Sequence, residues 1–164
     1  MLDILEVSAQ TPQLVEEARR LFMEYEAELD EDLCFQSFEQ ELAELPGKYA
    51  PPRGALLLGR FGVDIVGCVA LRPLDGGVCE MKRLYIRPAF RRHGFGKELA
   101  LEAVHRARLA GYSIMRLDTL ARLIPALLLY RDLGFAETSA YYHNPLPGVV
   151  YMSLDLVNVN AEAR

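Results

Sequence analysis

A mixed α/β domain, with helices packed on one largely antiparallel sheet, is the fold class this chain predicts. Three observations carry that prediction. The periodicities run strand, two helices, three strands, helix, strand, helix, two strands. The three middle strands follow one another through tight turns, so they are antiparallel neighbours and not a repeated βαβ array. At 164 residues and 51% hydrophobic content, the chain can bury one sizeable core. Residues 1–157 are therefore assigned to a single domain, and 158–164 to a loose tail.

Each element has its local reason. Leu2 to Ser8 alternates as a first strand. Thr11-Pro12 offers an N-cap followed by proline at the first helical position, and Leu14, Ala18, Leu21, Phe22 and Tyr25 keep helical spacing to about Glu28. A second helix is expected from Phe35 to Leu45, ended by Pro46-Gly47, and Ala50 to Gly54 is a loop. Strands follow at Ala55 to Phe61 and Asp64 to Pro73 around Gly62, then at Val78 to Ile86 after the Asp75-Gly76-Gly77 turn. A helix runs from about Gly96 to Ala110, its apolar stripe made of Leu99, Ala100, Ala103 and Ala107, with Gly111 as the stop. Ser113 to Thr119 reads as a strand and Pro125 to Leu133 as a short helix ended by Gly134. Phe135 to Ala140 and Val149 to Leu156 close the order.

Bulk properties exclude several classes. A net charge of −5 and a pI near 5.3 argue against a nucleic-acid partner, which requires an extended basic surface. The longest apolar runs, such as Ile65 to Leu71, fall far short of the roughly 20 residues that span a bilayer. The N-terminus carries acids and no basic stretch, and Cys34, Cys68 and Cys79 are scattered without a CxxC pair. Reduced thiols in a cytoplasmic protein are expected, with no metal site among the three cysteines and three histidines. Acids concentrated before Cys34, Glu24 and Glu28 among them, are either solvated helix faces or attractors of a cationic amine.

The chemistry concentrates at Arg91-Arg92-His93-Gly94-Phe95-Gly96-Lys97, between a strand and a helix. Glycines at 94 and 96 remove side chains where helical N–H groups are still unpaired, so an anion can approach the backbone at the positive end of the helix dipole. Arg91, Arg92 and Lys97 add charge, which points to a phosphate or pyrophosphate. A Walker loop would need Ser or Thr after Lys97, where Glu98 stands instead. A Rossmann fingerprint would need three glycines early in a βαβ unit. Neither requirement is met.

Arg91, Gly94 and Gly96, preceded by the strand residues Leu84-Tyr85-Ile86-Arg87-Pro88, resemble the signature turn of the GNAT superfamily of acyl-CoA-dependent N-acetyltransferases. Leu129-Tyr130-Arg131-Asp132-Leu133-Gly134-Phe135 is similar to the family's later helix, and the likeness in element order covers nearly the whole chain. Leu123 departs from the pattern, because many relatives carry asparagine three residues before the alanine matching Ala126. The resemblance implies a splayed central sheet and acetyl-CoA as cosubstrate. The amides of Arg92, His93, Gly94, Phe95, Gly96 and Lys97 would hold its pyrophosphate. Backbone groups of Leu84, Tyr85 and Ile86 would pair with pantetheine as an added strand does. The acceptor would be a primary amine of a small molecule or a peptide, and dimers are common among relatives. The alternative is a non-catalytic CoA-binding sensor with the same fold.

Amine attack on a thioester needs a neutral amine, a stabilised oxyanion and a protonated leaving sulfur. Tyr130 aligns with a family tyrosine that can donate to sulfur. Glu80, eleven residues before Arg91, is either a base acting through water or an ordinary strand carboxylate paired with Lys82. Tyr141, Tyr142 and His143 lie in a late loop of the kind that lines the acceptor cleft, with His143 an alternative base or a surface residue. Glu24, Tyr25, Glu28 and Phe35 are the remaining acceptor candidates.

Overall fold

A computed structural model describes residues 1–33 and 37–157 of the chain. It has the element order expected: β1 (Asp3–Glu6), α1 (Pro12–Leu29), α2 (Phe38–Glu44), β2 (Ala55–Phe61), β3 (Asp64–Pro73), β4 (Val78–Ile86), α3 (Phe95–Leu109), β5 (Ile114–Leu120), α4 (Ile124–Asp132), β6 (Ala136–Thr138) and β7 (Val149–Asp155). Single 3₁₀ turns at Gly47–Tyr49 and Pro88–Phe90 join two of the connections. The strands form one sheet in the order β1-β2-β3-β4-β5-β7-β6, antiparallel except between β4 and β5.

Helix α1 covers one face of this sheet, where Ala18, Leu21 and Phe22 meet Leu56, Leu58, Cys68 and Ala70. Helix α3 covers the other, where Leu99, Ala100, Ala103 and Ala107 meet Leu57, Val69, Leu71 and Met115. The alternation of Leu56, Leu57 and Leu58 between the two cores is the period of a strand buried on both sides. Among the described residues, no helix is long and apolar enough to cross a membrane.

Several expectations shift at their edges. The first strand keeps only Asp3–Glu6, although Val7 N–H still donates to Leu56 O at 2.8 Å. Thr11 does not cap α1. Its hydroxyl turns back, accepting from Ser8 N–H at 2.9 Å and donating to Ser8 O at 3.0 Å. Pro12 has no N–H to bond and fixes the helix entry by itself. The described part of α2 begins at Phe38, so the expected start at Phe35 lies outside the described residues, as does the 158–164 tail. The strand expected to Ala140 stops at Thr138, because Tyr141 and Tyr142 turn inward to polar partners.

Two irregularities in β4 build the site. Cys68 of β3 pairs with Tyr85 and Ala70 with Lys82, so β4 carries one extra residue in that interval. The bulge centres on Arg83, whose φ of +58° is a left-handed conformation in the middle of a strand. Its carbonyl accepts the Cys68 thiol at 3.2 Å. The extra residue inverts the facing of the strand. Cys79 and Met81 point to the α3 core before the bulge, whereas Leu84 and Ile86 do so after it. Second, β4 pairs with β5 only at Val78, Cys79 and Glu80, so its edge from Met81 to Ile86 has no strand neighbour on the β5 side. The expected splay is there.

Candidate active site

The turn between β4 and α3 is a backbone cradle. Gly94 caps α3 with φ +79°, and Arg92 before it has φ +69°. No side chain caps the helix, and its first bond runs from Glu98 N–H to Gly94 O at 3.1 Å. The amides of Phe95, Gly96 and Lys97 therefore stand ahead of the helical ladder, at the positive end of its dipole. A Cβ built on Gly94 would meet nothing within 4 Å, so the space over the cradle is open.

The charged side chains around it are more occupied than the sequence suggests. Arg91 donates from Nε to Ile86 O at 2.9 Å, pairs with Glu28 at 2.5 Å and stacks on Tyr85 at 5.7 Å. Lys97 pairs with Asp132 at 2.7 Å. These pairs are solvent-exposed, worth about 1 kcal/mol or less, and an arriving phosphate can displace them. Arg92 has no ion-pair partner among the described residues. His93 stacks on the buried Phe95, 5.5 Å between centroids.

Glu24 and Glu28 go to arginines of the protein. Glu24 receives a fork from Arg87 Nε at 3.0 Å and its NH2 group at 3.1 Å, while Glu28 holds Arg91. The acidic face of α1 thereby clamps the segment that leads into the cradle. Tyr25 points elsewhere, with its ring against Tyr85 at 6.3 Å and under Arg83 at 5.8 Å.

Next to the free edge of β4 lies a cavity of about 80 Å³, lined among others by Tyr25, Leu84, Leu123, Ala126 and Tyr130 and by the polar side chains of Lys82, Asp118 and Asn144. Tyr130 is 8% exposed, and its hydroxyl has no hydrogen-bond partner among the described residues. Burial pushes its phenol above the ordinary value, so it stays protonated. Leu123 occupies the position of the missing asparagine and contributes an apolar wall to the cavity.

Glu80 is fully buried. Its Oε1 accepts from Arg72 Nε at 2.7 Å, its Oε2 accepts from the Tyr141 hydroxyl, and Lys82 Nζ stands 3.8 Å from it. Lys82 is thus a neighbour but not its main partner. Burial first, then the Glu80 charge, pushes the Tyr141 phenol up. Tyr142 donates to Asp118, which also accepts from Asn144 Nδ2 at 2.7 Å. His143, between them in sequence, is exposed, and like Glu80 and Tyr141 it lies off the wall of this cavity. Phe35 lies outside the described residues.

Asp118, Asn144, Lys82 and Arg83 were not singled out from the sequence. For Asp118 a signal exists: in Ile114–Leu120 the buried Met115 and Leu117 alternate with Arg116 and Asp118, two charges on one face of a central strand. Lys82 has a similar signature, being one of three charged residues, with Glu80 and Arg83, in a strand of the sheet interior, and burial lowers its pKa. The unfolded chain then binds the Lys82 proton more tightly than the folded one, so this group favours folding more as pH rises toward about 10.4. Lys82→Met is expected to raise stability by about 1–2 kcal/mol at pH 7. Glu80 keeps Arg72 and Tyr141 in that variant. Denaturant unfolding should show the gain shrinking between pH 7 and pH 10; a loss of stability would contradict it.

The sheet is splayed beside the open N-terminus of α3. The model of the acetyltransferase (GNAT) family matches residues 13–135, and the chain belongs to that family of acyltransferases. An uncharacterized N-acetyltransferase of Schizosaccharomyces pombe is 46% identical over 148 residues, spanning 88% of this chain and 90% of the relative. The uncharacterized N-acetyltransferase YjgM of Escherichia coli is 33% identical over 127 residues, 76% and 75% of the two chains. A Bacillus subtilis acetyltransferase solved in complex with CoA has the same fold, with a TM-score of 0.68 at 20% identity over 94% of this chain and 99% of that one. Among the described residues no group of three or more His, Cys, Asp or Glu side chains can hold a metal ion.

Proposed function

We propose that the protein transfers the acetyl group of acetyl-CoA to a primary amine of a small molecule by direct attack, with donor and acceptor bound together. The carrying observation is the continuous donor surface: the amide cradle at Gly94–Lys97, the unpaired β4 edge at Met81–Ile86, and the unpartnered Tyr130 hydroxyl at the cavity beside it. The CoA complex of the Bacillus subtilis relative supports this reading of the cradle.

Acetyl-CoA, when bound, supplies an activated acetyl group as a thioester. The amides of Phe95, Gly96 and Lys97 hold the pyrophosphate, and backbone groups from Leu84 to Ile86 align the arm, Arg91 releasing Ile86 O as it does so. A backbone N–H of the free edge polarises the thioester carbonyl. The amine nitrogen bonds to the carbonyl carbon as the carbon–sulfur bond breaks. Glu80 takes the proton that the nitrogen loses, through the Tyr141 hydroxyl that it already accepts from. The acceptor attacks as the neutral amine, its ammonium proton having passed to solvent. Tyr130 hydrogen-bonds the departing sulfur and gives it the phenol proton. Exchange with solvent then removes the proton from Glu80 and returns one to Tyr130, so that in sum one proton moves from nitrogen to sulfur.

The donor half is tested by thermal or denaturant unfolding with CoA. At about 100 times its dissociation constant, CoA should stabilise the fold by roughly 2.7 kcal/mol. Gly94→Val places a β-branched side chain at φ +79° and over the cradle. It should cost about 1–2 kcal/mol in the free protein and abolish most of the CoA shift. An undiminished shift would move the phosphate site elsewhere.

A further inference from the structure

Lys82 and Asp118 are charges in this site that the proposed reaction leaves unused. Lys82 carries the clearer signal. It is 9% exposed, yet its ammonium makes no hydrogen bond to any described residue. Its nearest carboxylate oxygen, Glu80 Oε1 at 3.8 Å, already accepts from Arg72 at 2.7 Å, and its other near neighbour is the Tyr142 ring at 6.0 Å. Three donors of a buried cation are thus left facing a cavity. In the same cavity Asp118 presents the opposite charge, held in place by Tyr142 and by Asn144 Nδ2 at 2.7 Å. A cation and an anion lining one small space complement a zwitterion.

Resting on the acetyltransfer reading above, we propose that Lys82 anchors a carboxylate of the acetyl acceptor while Asp118 faces its ammonium, so that the acceptor is a free amino acid. Lys82 and Asp118 line one cavity of about 80 Å³, with Tyr130 and Leu84 also on its walls, so an acceptor held by both carries its amine and carboxylate close together. A second, wider groove is lined by Arg53, Arg72, Arg116 and Asp75, with Tyr141 and Tyr142 on its wall. Arg116 brings to that groove a buried Nε with no hydrogen-bond partner, and its guanidinium stacks on Tyr141 at 5.5 Å. Lys82 is accordingly a specificity-determining residue, distinct from Glu80 and Tyr130, which serve the proton transfers.

The test compares acceptors that differ only in the carboxylate: L-phenylalanine with 2-phenylethylamine, L-alanine with ethylamine, and L-aspartate with β-alanine, which lacks the α-carboxylate. Free thiol released from acetyl-CoA gives kcat/KM for each. Isothermal titration of the same compounds into the protein with CoA gives binding without turnover. For the wild type, each amino acid is expected to exceed its decarboxylated partner by at least tenfold in both readouts. Lys82→Met should erase that ratio by raising KM for each amino acid at least tenfold more than for its decarboxylated partner. Equal use of both members of each pair by the wild type, or a ratio that survives in Lys82→Met, overturns the carboxylate anchor and leaves acetyltransfer standing. Thiol release with no compound, when CoA itself binds, overturns the acetyltransfer reading and the anchor with it.

Discussion

Tyr130→Phe is expected to lower kcat by about 10²–10⁴-fold while CoA affinity stays within about threefold. The expectation rests on where the hydroxyl is and what it lacks. Helix α4 begins at Ile124 with Pro125 in its first turn, and it carries Tyr130 to the cavity beside the open β4 edge. Phenylalanine preserves the edge contact with Phe135, 5.8 Å between centroids, so the core loses no packing. The hydroxyl has no partner among the described residues, and its removal therefore strands no buried group. A fall in kcat would then report chemistry and not folding. Because burial pushes the phenol up, neither limb of the pH–rate profile should come from Tyr130, and the profile of the variant should keep its shape at a lower rate. A loss below tenfold would remove Tyr130 from the proton-donor role.

Arg83→Met is expected to destabilise the fold by about 3–5 kcal/mol. Arg83 is 4% exposed and binds Glu41 of α2 through Nε at 2.9 Å and its NH2 group at 3.2 Å. Its guanidinium also stacks on Phe38 at 5.2 Å and on Tyr25 at 5.8 Å. Glu41 keeps only the Tyr49 hydroxyl at 2.8 Å once the arginine is gone, so a largely buried carboxylate loses its counter-charge. The same residue is the centre of the bulge that turns Leu84 and Ile86 toward α3. Denaturant unfolding should show the loss, and it should be smaller in Arg83→Met with Glu41→Leu, where no charge is left unpaired. A single variant within about 1 kcal/mol of wild type would mean that Glu41 rehydrates freely.

The sequence makes the element order legible because each strand and helix carries its own period and most boundaries carry Gly or Pro. The donor half of the site is legible for the same reason: Gly94 and Gly96 act through the backbone, and their effect depends on local spacing alone. The bulge was not legible. Nothing in Met81-Lys82-Arg83-Leu84 marks the residue with φ +58°, since arginine is not a residue that favours that region. Missing it also hides the reversal of facing that puts Leu84 and Ile86, and not Tyr85, on the same face as Met81. The pairing of Glu24 and Glu28 with Arg87 and Arg91 was equally hidden, because those contacts span 63 residues of chain. Tyr141 and Tyr142 were found as a loop near the site, but their partners, Glu80 and Asp118, depend on the sheet register.

The central claim is acetyl transfer from acetyl-CoA to an amine at the open β4 edge. Its most direct test is mass spectrometry of the acceptor after incubation of wild type and Tyr130→Phe with acetyl-CoA and the amino acid and amine pairs. The account predicts an acetylated acceptor with the wild type, formed in step with thiol release, and at least tenfold less with the folded variant. No acetylated product from any acceptor, in a protein that binds CoA with the expected stabilisation, would contradict it.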